Sequence, residues 1–248
     1  MSDIAVKFEN VNKFYDLRLA NSGGIKNFIL NFWQKAPADQ GIHNVYEDLN
    51  LEIKKGTCTA IIGKNGAGKS TLLSLIAGVL KPNAGRITVT QRVSPLLELG
   101  AGFHPDLTGR ENTMLYGVIL GFSKKQVQRQ VEEIKEFSGL NEYFDAPFRY
   151  YSSGMMSRLG FSVVSKLDPE LLLVDEVLAV GDHEFKDKCL QVMHGFKKRK
   201  KTIILVSHSA GDVEGFCERA IWIEEGKVKR DGDPTELLNE YMNRSAEE

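Results

Sequence analysis

The sequence predicts an α/β fold with a central parallel sheet, an N-terminal antiparallel β layer and an α-helical subdomain. Short, continuous apolar runs favour strands that are buried on both faces, as the strands of parallel sheets are. Alternation of apolar and polar residues instead favours half-buried strands of an antiparallel layer. The continuous runs are residues 57–62, 171–174 and 202–206, and the alternating apolar positions are Ile4, Val6, Phe8, Leu49, Leu51 and Ile53.

Helix caps and turn residues predict the remaining elements. Ser123 opens a helix, because Gln126 follows three residues later as a capping-box partner and apolar residues then recur at helical spacing. A second helix is expected after Ser152-Ser153-Gly154. The other turn signals predict a strand at 87–89, a closing hairpin at 221–228 and a final helix that begins at Asp233-Pro234.

Composition restricts the class of protein. The chain has 248 residues with 42% hydrophobic content, which suits a packed core, and we expect one domain over residues 1–248. The net charge of −1 gives no overall electrostatic case for nucleic acid. No apolar run approaches the roughly 20 residues of a membrane-spanning helix. The cysteines (Cys58, Cys189 and Cys217) lack metal or disulfide spacing and are predicted to be reduced, buried thiols of a cytosolic protein.

A glycine-rich segment at residues 63–70, Gly-Lys-Asn-Gly-Ala-Gly-Lys-Ser, lies between a predicted strand and a predicted helix. Glycines let the backbone curl so that several N–H groups point at one anion, and the following helix adds its positive end. A lysine and a hydroxyl at the end of such a loop reach the β/γ-phosphates and Mg²⁺, respectively. The predicted phosphate-binding residues are Gly63, Asn65, Gly66, Ala67, Gly68, Lys69, Ser70 and Thr71.

Two carboxylates, Asp175 and Glu176, end the apolar run 171–174. In enzymes with such a phosphate loop, an aspartate at the end of a neighbouring strand holds Mg²⁺. A second carboxylate beside it can orient and polarise a water for attack on the γ-phosphate. The loop and the carboxylate pair together therefore predict nucleotide hydrolysis.

These motifs resemble those of the ATP-binding subunits of ABC transporters. The segment Tyr151-Ser152-Ser153-Gly154-Met155 stands at the place of the ABC signature, although it departs from Leu-Ser-Gly-Gly-Gln at the first, third and fifth positions. The resemblance implies that Ser152, Ser153 and Gly154 contact a phosphate at a helix N-terminus. Ser152 as a plain helix N-cap is an alternative that can hold at the same time.

The resemblance also implies roles for other polar and aromatic residues. His208 takes the place of the switch histidine that contacts the γ-phosphate, with an ordinary strand-end histidine as the alternative. Asp182 ends the D-loop, although it could simply cap the following helix. Tyr15 fits the aromatic residue that stacks on adenine, and Phe14 is its neighbour. The remaining histidines (His43, His104, His183 and His194) are predicted to be surface or packing residues.

One departure from the family concerns the glutamine that usually reaches Mg²⁺ and the attacking water. The aligned residue here is Glu98, in the segment Leu-Leu-Glu-Leu-Gly. A carboxylate brings an additional negative charge near the metal. It could ligate Mg²⁺ more strongly, or stay turned away until a membrane partner moves it.

Three segments narrow the resemblance to the ATPase subunits that export cell-surface polysaccharides such as O-antigen, capsule and teichoic acid. They are residues 99–112, 151–161 and 177–189. An insertion at about 16–43 supports the same subgroup, and apolar residues at 25–33 predict an amphipathic helix. This helix could touch the membrane, a partner subunit or its own domain. The helical subdomain is expected at about 105–165, and no C-terminal carbohydrate-binding domain is expected after Met242.

The resemblance implies an ATPase, with ATP and Mg²⁺, that powers export of a lipid-linked polysaccharide of the O-antigen-like or capsular kind. Two copies are expected to pair head to tail around two ATP molecules and to dock on an integral membrane permease, without nucleic acid. The subunit is then expected at the cytoplasmic face of the bacterial inner membrane, as a peripheral protein. The alternatives are export of another substrate (teichoic acid, lipid or drug), a soluble ABC ATPase, and a non-catalytic ATP-sensing adaptor.

Overall fold

The computed structural model describes residues 3–16, 41–96, 102–175, 182–207 and 209–247. In these ranges the chain forms two sheets with helices packed against them, and this confirms the predicted α/β class. The strands are β1 (Ile4–Asp16), β2 (Ile42–Lys54), β3 (Cys58–Ile62), β4 (Ala84–Val89), β5 (Val93–Leu96), β6 (Leu171–Asp175), β7 (Thr202–Val206), β8 (Arg219–Glu224) and β9 (Lys227–Gly232). The α-helices are α1 (Lys69–Ile76), α2 (Gly109–Ile119), α3 (Lys124–Ser138), α4 (Ser153–Lys166), α5 (His183–Lys198), α6 (Ala210–Phe216) and α7 (Pro234–Glu247).

The antiparallel sheet has the strand order β2-β1-β4. Its alternating residues divide between two faces, since successive side chains of a strand point in opposite directions. Val6, Phe8 and Leu51 are buried, whereas Lys7 and Glu52 lie at the surface and form a salt bridge of 3.4 Å. The predicted N-terminal antiparallel layer is therefore confirmed, and β4 completes it.

The second sheet has the order β5-β6-β7-β3-β8-β9. All neighbouring pairs are parallel except β8 and β9, which form the predicted antiparallel hairpin. The apolar strands β3 and β7 are buried along their whole length, as continuous apolar runs predict. The edge strand β5 was not predicted, because its four residues include a serine and Pro95, which mask the strand pattern.

The sheet order brings two chemically important strand ends together. β7 lies between β6 and β3, and Val206 pairs with Ile61 on one side and with Asp175 on the other. Because parallel strands end at the same edge, the glycine-rich loop after β3 lies next to the carboxylate at the end of β6.

The helices α2, α3 and α4 pack against one another within the predicted helical subdomain. Ser123 and Gln126 form the predicted capping box at the start of α3, with the Ser123 backbone N–H donating to Gln126 Oε1 over 2.9 Å. Before α2, the buried Asn112 side chain holds the preceding loop by donating to the backbone oxygens of His104, Leu107 and Thr108. The division of the chain into one domain and a subdomain remains a prediction.

The cysteines of the described ranges are buried and free. Their spacing did not indicate that Cys58 Sγ and Cys217 Sγ lie 3.2 Å apart. The hydrogen bond between the two thiols, together with burial, raises the pKa of Cys58. Over the described ranges, none of the helices has the length and apolar character needed to cross a membrane.

Candidate nucleotide-binding site

The glycine-rich loop between β3 and α1 has a backbone that only glycine accommodates at two positions. Gly63 has φ 153°, and a Cβ there would lie 2.3 Å from the Ile223 carbonyl oxygen. Gly68 has φ 99°, and its Cβ would lie 2.8 Å from the Tyr46 hydroxyl. The backbone is therefore brought close to its neighbours and curled at the start of a helix, which is the arrangement that cradles phosphate.

Lys69 is the first residue of α1 and is 7% exposed. Its Nζ donates hydrogen bonds to the carbonyl oxygens of Gly63, over 2.8 Å, and of Lys64, over 3.0 Å. These contacts fold the ammonium group back over the loop that precedes it. A positive charge held inside the curl of the loop is placed to neutralise a bound polyphosphate.

Ser70 and Asp175 come from different elements and meet at the mouth of the loop. Ser70 Oγ donates to Asp175 Oδ2 over 3.1 Å, which links α1 to the end of β6. A hydroxyl and a carboxylate oxygen are hard oxygen donors of the kind that Mg²⁺ prefers, and the cation keeps other positions for water and substrate phosphates. The pair therefore fits a magnesium site. Within the described ranges, no group of three or more His, Cys, Asp and Glu side chains forms a site made by protein alone.

A cavity of about 470 Å³ opens along this loop. Tyr15 lies in its wall, with its hydroxyl 3.4 Å from Thr71 Oγ1 and with Lys13 Nζ 4.9 Å from its ring centroid. Phe14 is not in this lining; its side chain is 38% exposed. The lining consists of Tyr15, His43, Val45, Asn65, Gly66, Gly68, Lys69, Ser70, Thr71, Asp175 and Val206.

Sequence reasoning missed some residues of this wall. His43 is exposed, as predicted for a surface residue, but the prediction gave no sign that it lines the cavity, and Val45 lines it too. Both belong to β2, which pairs antiparallel with β1, and Tyr15 is directly opposite His43. Only the pairing of β2 with β1 indicates that His43 lies beside the cavity, because an isolated histidine in an alternating strand belongs to no recognisable motif.

Tyr46 supports the loop from behind. Its hydroxyl donates to the Gly68 carbonyl oxygen over 2.8 Å, and its ring is buried. Burial, with a smaller contribution from Tyr15, raises the pKa of Tyr46, so the hydroxyl remains a donor at neutral pH. The residue before it lines the cavity, so β2 both contacts the ligand space and holds the loop in shape.

The N-terminus of α4 is the second helix end predicted to bind phosphate. It carries Ser152, Ser153 and Gly154. Ser152 is exposed and caps the helix, its Oγ accepting from the Met155 backbone N–H over 3.3 Å. The three residues are not in the lining of the loop cavity. One chain therefore does not place this helix end in its own cavity.

Tyr151 occupies the first position of the signature segment and is buried. Its hydroxyl donates to the Tyr143 carbonyl oxygen over 2.7 Å, and its ring centroid lies 4.9 Å from that of Phe148. Burial raises the pKa of Tyr151 to about 12, so the hydroxyl stays protonated. The departure from leucine at this position thus adds a hydrogen bond that fixes the start of α4 to the 3₁₀ turn at 141–145.

Asp182 caps α5, its Oδ1 accepting from the Phe185 backbone N–H over 3.0 Å. Its other carboxylate oxygen accepts from Arg158 of α4. The hydrogen bond from the Phe185 backbone N–H is the largest cause that lowers the pKa of Asp182. The positive charge of Arg158 lowers the pKa further. The cap alternative is thus observed, and Asp182 does not lie in the lining of the loop cavity.

Other predicted site residues lie outside the described residues. They are Glu98, Glu176 and His208, together with residues 17–40, which include most of the predicted insertion at about 16–43 and its predicted amphipathic helix.

The fold and the site define a P-loop nucleotide-binding protein. This assignment rests on three features: the curled glycine loop, the buried lysine at the start of α1, and the hydroxyl–carboxylate pair at the end of β6. The profile of the ABC transporter family matches residues 46–179. The chain belongs to the ABC transporter family and is an ATP-binding, ATP-hydrolysing component of it.

Relatives and solved structures agree with this assignment. The chain is 46% identical over 242 residues to the O-antigen export system ATP-binding protein RfbB of Klebsiella pneumoniae, covering 97% of this chain and 98% of that protein. It is 38% identical over 236 residues to the teichoic acids export ATP-binding protein TagH of Bacillus cereus, covering 95% of this chain and 42% of that protein. A structure described as the ATP-binding subunit of an ABC transporter superposes with a TM-score of 0.72 at 20% identity, covering 96% of this chain and 93% of that one.

Proposed function

We propose that the chain is the ATPase subunit that powers export of a lipid-linked cell-surface polysaccharide, O-antigen-like or capsular, across the bacterial cytoplasmic membrane. The observation that carries the ATPase part is the buried Lys69 beside the Ser70–Asp175 pair in one cavity. The export part is supported by the identity to an O-antigen export ATP-binding protein over almost the full length of both chains. The chain then works as a peripheral subunit on the cytoplasmic side of a membrane permease.

The described residues would bind and orient the nucleotide. Tyr15 stacks on the base, the amides of the glycine loop surround the β-phosphate, and Lys69 exchanges its two carbonyl acceptors for phosphate oxygens. Ser70 and Asp175 would hold Mg²⁺, which would supply positive charge against the bound polyphosphate. Positioning and charge neutralisation of this kind account for most of the acceleration in phosphoryl transfer.

Three residues outside the described ranges are assigned to the proposed chemistry. Glu176 follows Asp175 directly, so it is close in the chain to the Mg²⁺ side of the site, and we assign it to orient the attacking water. His208 follows β7 closely and is assigned to steady the γ-phosphate. Glu98 is a further candidate for contact with Mg²⁺. These assignments rest on the resemblance to ABC ATPases.

The second half of each site would come from a second copy of the chain. The exposed N-terminus of α4 does not line its own cavity, and its serine cap and helix end suit a phosphate. A head-to-tail pair would place Ser152–Gly154 of each copy on the nucleotide of the other. ATP then holds the two copies together until hydrolysis removes the γ-phosphate contacts, and this change would drive the permease.

Size-exclusion chromatography with light scattering tests the ATP-driven pairing. The Glu176→Gln variant should bind ATP, form a dimer and hydrolyse ATP very slowly, because it keeps the side-chain size but loses the charge that polarises water. The matched control is Glu136→Gln, an exposed glutamate on α3, which should hydrolyse ATP at the wild-type rate. Turnover of Glu176→Gln near wild type would contradict the assignment of Glu176, and a monomer at saturating ATP would contradict the two-chain site.

The cargo is tested separately in the host cell. Replacing Lys69 by alanine in the chromosomal copy should remove the surface polysaccharide and accumulate its lipid-linked precursor inside the cell, both measurable by extraction and gel analysis. The 38% identity to a teichoic acid exporter subunit makes teichoic acid the second candidate cargo. Loss of teichoic acid with intact surface polysaccharide would select that alternative.

A further inference from the structure

A second cavity, of about 310 Å³, lies between α3, α4 and α5. Its wall is formed by Phe137 of α3, by Ser165 and Lys166 of α4, and by one face of α5 together with Arg199 at its end. Among the described residues, this cavity shares no lining residue with the cavity at the glycine-rich loop. Its volume is at the lower end of the range for small-molecule sites. The proposed ATPase reaction therefore leaves this cavity without a role.

The face of α5 in this wall is defined by helical spacing. Lys188, Gln191, Val192, Gly195 and Arg199 recur at the intervals that place residues on one side of a helix. Val192 supplies an apolar surface, and the Gln191 amide can both donate and accept hydrogen bonds. The end of α5 therefore presents two cations, an amide and an apolar surface to the same space.

The charge of the wall has one sign. Lys166, Lys188 and Arg199 are its cations, and none of the described residues that line it is an aspartate or a glutamate. Each cation pairs with a carboxylate that lies outside the lining and is 59–81% exposed. These pairs are Lys166–Glu133 (3.7 Å), Lys188–Glu184 (2.9 Å) and Arg199–Asp168 (3.6 Å). Exposed pairs of this kind contribute little free energy, so an anion in the cavity can replace them.

Gly195 keeps this cavity open. It lies inside α5, although glycine is among the least favourable residues for a helix interior. Apart from the backbone of its own helix, the nearest described atom to an added Cβ would be Arg199 Nη1, at 3.7 Å, which is ordinary van der Waals contact. Crowding therefore does not require glycine at this position. A larger side chain would project toward Arg199 and occupy part of the space.

We propose that this cavity is a second ligand site, which binds a nucleoside diphosphate or a similar organic diphosphate. Three cations suit a group with two or three negative charges, because charge-assisted hydrogen bonds to phosphate are the strong ones. The apolar surfaces of Phe137 and Val192 cover the organic part, and Gln191 hydrogen-bonds to its polar edge. A bound diphosphate connects α3 and α4 to α5 and stabilises their packing. This site is independent of the exported cargo.

Isothermal titration with UDP tests the site. The titrations use the full-length Lys69→Ala protein, in which the cavity at the glycine-rich loop has lost its cation, so that the remaining UDP binding reports the second cavity. UDP should bind this protein and raise its unfolding temperature. Adding Lys188→Ala should weaken UDP binding about tenfold, because one charge-assisted contact is lost. Adding Gly195→Leu should abolish it, because the leucine side chain fills the cavity.

Lys198→Ala is the matched control. Lys198 is an exposed lysine of α5 that does not line the cavity, so its replacement removes the same charge as Lys188→Ala and should leave UDP affinity within about twofold. In chains that retain Lys69, Lys188→Ala and Gly195→Leu should hydrolyse ATP at the wild-type rate without UDP. That result separates the second cavity from catalysis and reports correct folding. Arg199→Ala replaces Gly195→Leu if the leucine variant does not fold.

Two further probes define the chemistry of the ligand. Pyrophosphate carries two phosphates without an organic part and should bind clearly more weakly than UDP, because it leaves the apolar wall uncovered. Equal affinities for pyrophosphate and UDP would overturn the assignment to an organic diphosphate. Phosphatidylglycerol vesicles present phosphate at a membrane surface, and they should bind the wild type and Lys188→Ala equally. Vesicle binding that depends on Lys188, without UDP binding, would assign these cations to a membrane instead.

The remaining outcomes also decide the question. The inference is wrong if the Lys69→Ala protein does not bind UDP at millimolar concentration. Equal weakening by Lys188→Ala and Lys198→Ala would show a general effect of charge, and unchanged UDP binding in Gly195→Leu would place the ligand elsewhere. None of these results affects the proposed function, which is tested by ATP hydrolysis and ATP-driven pairing.

Discussion

The N-termini of α1 and α4 are the two helix ends assigned to phosphate, and they are built in opposite ways. At α1, Gly68 occupies the N-cap with φ 99° and no side-chain cap, and the following Lys69 is buried. At α4, Ser152 occupies the N-cap in extended conformation, its side chain caps the helix, and the residue is exposed. The first end has its backbone N–H groups open to a ligand, whereas the second is already partly satisfied by its own serine.

This difference explains why one end lies in a cavity and the other lies on the surface. An uncapped helix start leaves unsatisfied donors, so it needs an anion or water to pair with them. A serine-capped start is stable without a ligand and can wait in contact with solvent. The α1 end therefore suits primary nucleotide binding, and the α4 end suits a contact that is made and broken during each cycle.

Loss of the buried charge at the α1 end should have the largest effect. Lys69→Ala should lower ATPase activity at least about a hundredfold, because the ammonium group that neutralises the phosphates is gone. Phosphate release by the purified protein measures this. Lys125→Ala, an exposed lysine at the start of α3, should keep wild-type activity. If the Lys69→Ala variant remained active, ATP hydrolysis would have to occur away from the N-terminus of α1.

The glycine backbone at α1 should be the next most sensitive. Gly68→Ala should destabilise the protein by about 1–3 kcal/mol and weaken nucleotide binding, because the added Cβ would meet the side chains of Tyr46 and Val45. Gly78→Ala is the control, since Gly78 also has positive φ (73°) but no heavy atom within 4 Å of a Cβ. Thermal unfolding and isothermal titration with ATP distinguish the two variants. Gly78→Ala should lose some stability but keep the wild-type affinity for ATP.

The serine cap at α4 allows a direct comparison between two caps. Ser152→Ala and Ser123→Ala should each cost about 1 kcal/mol of stability, since both serines cap a helix. Only Ser152→Ala should also weaken ATP-driven dimerisation, measured by light scattering in the Glu176→Gln background. If the two variants behaved equally in both measurements, Ser152 would serve only as a helix cap and would have no role in dimerisation.

Replacement of Tyr15, the aromatic residue in the cavity wall beside α1, should have the smallest effect on ATPase activity. Tyr15→Ala should raise KM for ATP about tenfold with little change in kcat, because stacking on a base contributes about 1–3 kcal/mol. Phe14→Ala should change KM little, since Phe14 does not line the cavity. A larger KM increase in Phe14→Ala than in Tyr15→Ala would reverse the assignment.

Local patterns predicted the fold and the α1 end well, because their information is contained in contiguous residues. The apolar runs, the capping box at Ser123 and the glycine loop each occupy one short segment. Contacts made by strand pairing were not predictable in this way: His43 enters the cavity wall because β2 pairs with β1 next to Tyr15. Arg158 is a similar case, since an arginine on a helix gives no sign of which carboxylate it will meet.

The place of β3 in the parallel sheet has a consequence for synthesis of the chain. β3 carries the loop, but its hydrogen-bonded neighbours are β7 and β8, which lie more than half the chain further on. Such distant pairings close slowly and only after the ribosome has released most of the polypeptide. A nascent or truncated chain that ends before β7 should therefore lack ATP affinity, so nucleotide can stabilise only molecules whose translation is nearly finished.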